Sequence, residues 1–209
     1  MKAAVIYMAS GFGRRFGSNK LAAVLEGKPL YQHSLEAAAG AVRRLNAQTG
    51  WQARLVAVSQ YREILEAAGR AGAKAVLNER SHEGITASLI LGTLTAGEAD
   101  IYVYCVADQP RLRAETIADF IQGFAASKRG IGCVANGGRR GNPAAFLACY
   151  RGELLSLTGD KGGSQVIRRH EKELWLYEAA EEELADVDRL EDLNRARNGQ
   201  RKEERKPWS

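Results

Sequence analysis

The chain has 209 residues, of which 45% are hydrophobic and 26% charged, the composition of a soluble globular protein with one well-packed core. Its formal charge of +5 would suggest a nucleic-acid ligand if it were spread over the fold. Most of it lies at the C-terminal end, however, because residues 195–209 contain six Lys/Arg and two Glu, a net +4. The rest is near neutral and has no apolar run of membrane-spanning length, so we expect no nucleic-acid or membrane partner and a cytoplasmic location.

Apolar runs of strand length alternate along the chain with longer segments of helical periodicity, which is the pattern of repeated βα units around a mostly parallel sheet. The predicted strands are 3–8, 54–58, 74–77, 101–106, 132–135, 144–147 and 174–177. The predicted helices are 30–47, 61–71, 88–95, 114–127, 153–157, 163–170 and 189–197. Because no repeat or linker interrupts the pattern, we expect one α/β domain over residues 1–194, followed by a solvated, flexible basic tail over 195–209.

The first predicted strand runs into a glycine-rich segment, residues 8–20, that also carries concentrated positive charge. Glycine permits positive φ and a close approach of the backbone to a ligand, so N–H groups can converge on phosphate oxygens while Arg14, Arg15 and Lys20 neutralise charge. A dinucleotide fingerprint would need glycine in place of Phe16, and a Walker loop would need Gly-Lys-Ser/Thr at residues 17–19. The segment therefore predicts another kind of polyphosphate loop, with an ordinary tight βα turn as the alternative.

Asp108 directly follows the fourth predicted strand, at the edge of the sheet where open α/β sheets bind ligands. A carboxylate that faces a phosphate loop can hold Mg²⁺, which takes few protein ligands and completes its shell with water and substrate phosphates. Alternatively, Asp108 starts a turn into Pro110 and caps the segment after it. The glycine-rich segment favours the metal.

Several segments together resemble the nucleotidyltransferases of molybdenum cofactor maturation, most closely the molybdenum cofactor cytidylyltransferase-like branch. The family opening, Leu-Ala-Ala-Gly-x-x-x-Arg-x-Gly-x-x-Lys, looks like residues 8–20, and its Gly-x-x-x-Ser-Leu segment is similar to residues 84–89. The other segments with a family counterpart, in the family's order, are Gly27-Lys28-Pro29-Leu30, Asp108-Gln109-Pro110, Gly141-Asn142-Pro143, residues 153–163 and Asp186-Val187-Asp188.

The chain departs from that family at three places. Ser10 stands where members tend to carry Ala or Gly according to the base they select, which leaves the base open. Asn142 stands where many relatives carry His, and Gly163-Ser164 where many carry Ala-Arg, so contacts to the second substrate can differ.

The resemblance implies a Rossmann-like, glycosyltransferase-A-like nucleotidyltransferase fold, a three-layer sandwich with a mostly parallel sheet. It also implies transfer of a nucleoside monophosphate from an NTP, CTP in this branch, to the terminal phosphate of molybdenum-molybdopterin, which yields molybdopterin cytosine dinucleotide and pyrophosphate for an apo-molybdenum hydroxylase. That phosphate is already ionised, which agrees with three histidines, His33, His82 and His170, that form no recognisable catalytic set. Catalysis then depends on positioning, Mg²⁺ or Mn²⁺, and cationic side chains.

The resemblance and these chemical needs together indicate the site residues. The expected catalytic residues are Lys20 and Arg15 at the β- and γ-phosphates and Asp108 at the metal. The expected nucleotide-binding residues are Ala9, Ser10, Gly11, Phe12, Gly13, Lys20 and Ser88. The expected metal ligands are Asp108 and Asp186 or Asp188, and the expected second-substrate residues are Asn142, Asp160 and Lys161. We expect Arg14 to face solvent and Lys20 to be exposed.

Simpler structural roles remain open for three of these positions. Asp188 fits a helix N-cap before residues 189–192, Asp160 fits a cap of the helix that comes after it, and Ser88 fits the N-cap of its own helix. Two other functions are also open: a nucleotidyltransferase with a different acceptor such as a sugar phosphate, and a non-catalytic carrier of the molybdenum cofactor.

Overall fold

This computed structural model describes residues 1–11, 19–187 and 192. Its strands are β1 (Lys2–Ala9), β2 (Val24–Leu25), β3 (Lys28–Pro29), β4 (Gln52–Ser59), β5 (Lys74–Leu77), β6 (Ile101–Val106), β7 (Ile131–Asn136), β8 (Arg139–Leu147) and β9 (Leu174–Glu178). Its α-helices are α1 (Leu30–Asn46), α2 (Arg62–Arg70), α3 (Ile85–Ala96), α4 (Ala114–Ala126), α5 (Arg151–Leu155) and α6 (Ser164–Arg169). The predicted tail over 195–209 and, apart from residue 192, the predicted helix over 189–197 lie outside the described residues.

Seven of the strands form one sheet in the order β5-β4-β1-β6-β8-β7-β9, while β2 and β3 pair with each other. The pairs β5·β4, β4·β1, β1·β6 and β7·β9 are parallel. β8 is antiparallel to both of its neighbours, β6 and β7. The predicted mostly parallel sheet is confirmed, with β8 reversed within it.

Helices cover both faces of this sheet, because successive strand residues point to opposite sides. Val5 and Tyr7 of β1 belong to an apolar cluster with α1, α2 and α4, whereas Ile6 and Met8 belong to a cluster with α3, α5 and α6. α3 lies so close to the sheet that a Cβ on Gly92 would come within 2.4 Å of the Ile6 side chain. The predicted three-layer α/β arrangement is confirmed, and in the described part of the chain no helix is both long and apolar enough to cross a membrane.

β8 is longer than the predicted strand over 144–147, since it begins at Arg139. It forms a hairpin with β7 through Gly137 and Gly138, whose φ angles are 54° and 79°. Two consecutive residues with positive φ give a turn that matches the twist of the paired strands, a conformation that suits glycine. The segment 139–143 has no apolar alternation of its own, so its extended conformation comes from pairing with β7.

Candidate active site

The carboxyl ends of β1 and β6 lie side by side, because the two strands pair in parallel and place Met8 opposite Val106. A cavity of about 440 Å³, here called the first cavity, opens beyond these strand ends. Six of the predicted site residues line it: Ser10, Gly11, Lys20, Ser88, Asp108 and Asp160. The topology therefore brings together segments that are more than a hundred residues apart in the chain.

An ion pair between Lys20 and Asp108 lies in this cavity, with the lysine Nζ 2.8 Å from Oδ2 of the carboxylate. Lys20 is only 8% exposed, so the expected exposed lysine is wrong. A short 3-10 turn, Lys20–Ala22, turns the side chain inward, and Asn19 caps this turn by accepting a hydrogen bond from the Leu21 N–H. An ammonium group thus lies beside the carboxylate at the end of β6.

Asp108 does not cap the next helix. Its carboxylate accepts from Lys20, and α4 begins at Ala114 with Arg113 at the N-cap position. The ion pair uses Oδ2, which leaves Oδ1 of the same carboxylate for another ligand. The chain does turn at residues 107–108 and 110–111, as that alternative expects, but the side chain of Asp108 does not cap the helix that follows.

A second acidic residue is positioned near Asp108 by a backbone contact. The Val187 N–H donates to the Asp108 carbonyl at 2.9 Å, which brings the neighbouring Asp186 to this edge of the sheet, while Asp188 lies outside the described residues. Among the described residues no group of three His, Cys, Asp or Glu side chains could hold a metal by itself. Asp186 is exposed and does not line the first cavity, whereas Asp108 does. Mg²⁺ and Mn²⁺ in nucleotide sites need one or two carboxylates plus phosphate oxygens, so Asp108 fits an ion that arrives with a nucleotide.

Gln60 holds the beginning of the glycine-rich segment in place. Its amide Nε2 donates to the Ser10 carbonyl at 2.9 Å, and its Oε1 accepts from the Ser81 hydroxyl at 3.0 Å. Tyr61 adds a hydrogen bond from its hydroxyl to the Gly11 carbonyl at 3.3 Å. Sequence reasoning missed Gln60, although its position just beyond the carboxyl end of β4 is a signal that could have identified it.

The other expected residues of this segment have different placements. Ala9 is buried at the end of β1, and its carbonyl accepts from the Ser59 hydroxyl at 2.7 Å. Phe12, Gly13 and Arg15, like Arg14, lie outside the described residues.

Ser88 is inside α3 rather than at its N-cap, because the helix already begins at Ile85. The serine is 2% exposed, and its hydroxyl accepts a hydrogen bond from Nδ2 of the equally buried Asn78 at 3.0 Å. The N-cap alternative for Ser88 is therefore wrong. Ser88 is one of the residues that line the first cavity.

Asp160 caps a helix, but not the one that comes after it. Its Oδ1 accepts from the Ile85 N–H at 2.7 Å, at the start of α3, whereas α6 begins only at Ser164. Gly84, with φ of 95°, makes room for this contact, since a Cβ there would lie 1.9 Å from the carboxylate oxygen. The expected cap of the next helix is thus corrected to a cap of α3. Asp160 and Ile85, the two residues of this contact, both line the first cavity.

A second cavity, of about 290 Å³, adjoins the first and shares Met8 and Ile85 with it. Asn142 and Lys161 line this second cavity. The three predicted second-substrate residues are therefore divided between two neighbouring cavities, with Asp160 in the first.

The histidines form no catalytic set with one another. His33 lies 2.8 Å from the Leu25 carbonyl, and His170 lies 2.7 Å from a carboxylate oxygen of Glu153. His82 lines the first cavity and is exposed. Among the described residues, the site therefore offers charged and hydrogen-bonding groups rather than a nucleophile paired with a histidine base.

Residues 5–174 match the family model described as the MobA-like NTP transferase domain. Rv0371c from Mycobacterium tuberculosis H37Rv has a similar structure, with 21% sequence identity and a TM-score of 0.73 over 95% of this chain and 99% of that chain. The structure of its complex with manganese is also similar, with 20% identity and a TM-score of 0.68 over 94% of this chain and 98% of that chain. A nucleotidyl transferase from Methanothermobacter is similar as well, with 20% identity and a TM-score of 0.74 over 96% of this chain and 98% of that chain. CMP:2-keto-3-deoxy-manno-octonic acid synthetase complexed with CTP is similar with 16% identity and a TM-score of 0.69 over 97% of this chain and 100% of that chain. No curated protein sequence matches the chain.

Proposed function

Because the chain belongs to the MobA-like NTP transferase family, we propose that it transfers the nucleoside monophosphate of CTP to the terminal phosphate of molybdenum-molybdopterin. The observation that carries the proposal is the pair of Lys20 and Asp108, 2.8 Å apart in a cavity that Ser10 and Gly11 also line. An ammonium and a carboxylate beside a glycine-rich segment can serve the two needs of this chemistry, which are a cation for phosphate oxygens and an anion for a divalent metal.

In the proposed step, an oxygen of the acceptor phosphate bonds to the α-phosphorus of CTP. The bond from that phosphorus to the oxygen bridging to the β-phosphate breaks, and pyrophosphate leaves with the electron pair. The acceptor phosphate is already an anion, so no general base is needed. The ammonium of Lys20 would neutralise charge that gathers on the leaving pyrophosphate, together with Arg15.

Asp108 would hold Mg²⁺ or Mn²⁺ through Oδ1, with Asp186 as the second carboxylate. When bound, the metal supplies charge neutralisation at the phosphate oxygens. The similarity to Rv0371c, which has been crystallised with manganese, supports the divalent metal. Gly11, Phe12 and Gly13 would bind phosphate oxygens through their N–H groups, while Ser10 and Ser88 would contact the rest of the nucleotide. Ala9, which is buried and does not line the first cavity, would instead support the segment from the end of β1.

The acceptor would lie in the second cavity, next to Asn142 and Lys161. The shared wall of the two cavities at Met8 and Ile85 supports this placement, because the acceptor phosphate has to reach the nucleotide. Asp160 would act indirectly, by fixing the start of α3 between the two cavities. An apo-molybdenum hydroxylase would then receive the dinucleotide product.

The test is to incubate the purified protein with Mg²⁺, molybdenum-loaded molybdopterin and CTP, GTP or ATP separately, and to measure both pyrophosphate and the dinucleotide. Reaction with CTP alone is expected, and removal of the metal with EDTA should stop it. Preference for another base would overturn the CTP assignment and direct attention to Ser10. Pyrophosphate release only with a sugar phosphate would replace the acceptor, and tight molybdopterin binding without any release would identify a carrier.

A further inference from the structure

The second cavity has a basic wall, of which the proposed function uses only Lys161. Its described lining residues include three cations and no carboxylate. The cations are Arg140, Lys161 and Arg168. Arg140 comes from β8 and Arg168 from α6, so two separate elements direct guanidinium-bearing residues to one cavity. Such a wall attracts a ligand of high negative charge.

The first cavity has the opposite balance. Its described lining contains a single lysine and three carboxylates, which are Glu83, Asp108 and Asp160. A nucleotide that brings a divalent cation complements that lining, whereas the second cavity would repel a cation. The two cavities are therefore suited to different ligands, although they share a wall.

Present contacts of the two arginines are weak enough to be exchanged for a ligand. Arg140 lies 3.6 Å from a carboxylate oxygen of Glu171, and the two side chains are 42% and 62% exposed, a situation in which ion pairs contribute little. Arg168 makes long hydrogen bonds to Ser164 of its own helix, at 3.4 and 3.5 Å. A guanidinium in such a setting can turn towards an anionic ligand and bind it through two N–H groups.

The floor of the second cavity is apolar. Phe146 and Tyr104 are buried and pack edge to face, with ring centroids 5.9 Å apart, and Leu89 continues this surface. An apolar floor beneath a basic wall fits a ligand that has an organic ring system and charged groups at its periphery. Inorganic phosphate alone would use only half of these features.

We propose that Arg140 and Arg168 bind an acceptor that carries a second anionic group in addition to the phosphate that reacts. The inference rests on the proposed function, which supplies the acceptor, and it names the class: a ring-containing organic phosphate with further negative charge. The reacting phosphate reaches the first cavity past Met8 and Ile85, and the two arginines hold the other charge. Acceptors with a single anionic group are discriminated against, since they leave the guanidinium groups unused.

The chain offers a matched control for this proposal. Arg139 and Arg169 are the sequence neighbours of the two arginines, and neither lines the second cavity. The double variants R140A/R168A and R139A/R169A therefore change the net charge equally. R140K/R168K keeps the charge and loses the paired N–H geometry. Circular dichroism and thermal unfolding verify that each variant is folded. If R140A/R168A does not fold, R140K/R168K still tests the proposal.

We expect R140A/R168A to raise the KM for molybdenum-molybdopterin at least about tenfold, the scale of a lost hydrogen bond to a charged group, while the KM for CTP stays within about twofold. R139A/R169A should leave both values unchanged, and R140K/R168K should fall between. An unchanged acceptor KM in R140A/R168A, with normal transfer, would overturn the inference and leave the proposed function standing.

A binding measurement separates the two proposals when no transfer is observed. Molybdopterin without molybdenum is titrated against protein saturated with a non-hydrolysable CTP analogue, and its fluorescence is followed. Binding to the wild-type protein that weakens at least about tenfold in R140A/R168A, and not in R139A/R169A, would support the site even if the proposed function fails. Equal binding by both variants, or none by the wild-type protein, would overturn the inference.

Discussion

Lys20 and Asp108 are 88 positions apart in the chain, and their side chains meet at 2.8 Å in the candidate site. The lysine follows the glycine-rich segment after β1, and the aspartate follows β6. This ion pair therefore ties the position of the expected phosphate-binding segment to the expected metal ligand. Ligand binding, metal binding and stability should respond together when either residue changes.

Asp108→Asn is expected to lower kcat by about a hundredfold or more at saturating Mg²⁺, because the neutral amide keeps the size of the side chain and loses the charge that would hold the metal. The rate of pyrophosphate release measures this directly. Asp119→Asn, at an exposed position on α4, is the control and should leave kcat unchanged. Normal kcat in Asp108→Asn would remove this residue from the catalytic machinery.

Lys20→Met is expected to lower the free energy of unfolding by about 1–2 kcal/mol without ligand, since the partly buried carboxylate of Asp108 loses its ammonium partner. Urea unfolding measures the change, and the double variant with Asp108→Asn should show a coupling of about 1 kcal/mol. Lys28→Met removes an exposed pair with Glu36 and should have almost no effect. Strictly additive effects of the Lys20 and Asp108 changes would contradict the prediction.

Gln60→Glu is expected to raise the KM for CTP about tenfold with a smaller change in kcat, on the scale of one lost hydrogen bond at the site. The carboxylate cannot donate to the Ser10 carbonyl as Nε2 does, and it repels that oxygen. Steady-state kinetics with varied CTP measure both constants. Gln52→Glu, at the exposed opposite end of β4, serves as the control. The positioning role would be refuted by an equal KM in the two variants.

Burial raises the pKa of the Cys105 thiol to about 12 and that of Cys133 to about 11, from an ordinary value of 9.0. Iodoacetamide should therefore label the exposed Cys149 in the native protein and the two buried cysteines only after unfolding. Mass spectrometry of the labelled protein distinguishes them. Rapid native labelling of Cys105 would contradict the burial on which the prediction rests.

The same two thiols predict a loss of stability in alkali. Above about pH 9 they ionise in the unfolded chain and stay protonated in the folded one, so the unfolded state binds fewer protons and stability falls as pH rises. We expect the free energy of unfolding to drop by about 2.5 kcal/mol between pH 8 and pH 10, and urea unfolding at the two pH values measures it. Equal stability at both values would exclude this linkage.

Local patterns in the sequence were enough to predict the architecture. The predicted strands 74–77 and 101–106 coincide with β5 and β6, because apolar periodicity reports which face of an element is buried without reference to its partners. The same reasoning located Ser10, Gly11 and Asp108, since a residue that follows a buried parallel strand is already at the ligand-binding edge of the sheet.

Tertiary structure alone decided which of these residues face one another, because contacts between distant segments depend on strand register and helix packing that no local pattern encodes. It assigned Asp160 to the start of α3, 75 positions away, and buried Lys20 against Asp108. It extended β8 by pairing segment 139–143 with β7, and that pairing brought Arg140 to the second cavity. The sequence thus determined the elements and the edge of the sheet at which the site lies, and the packing of those elements determined the charge and the partners within it.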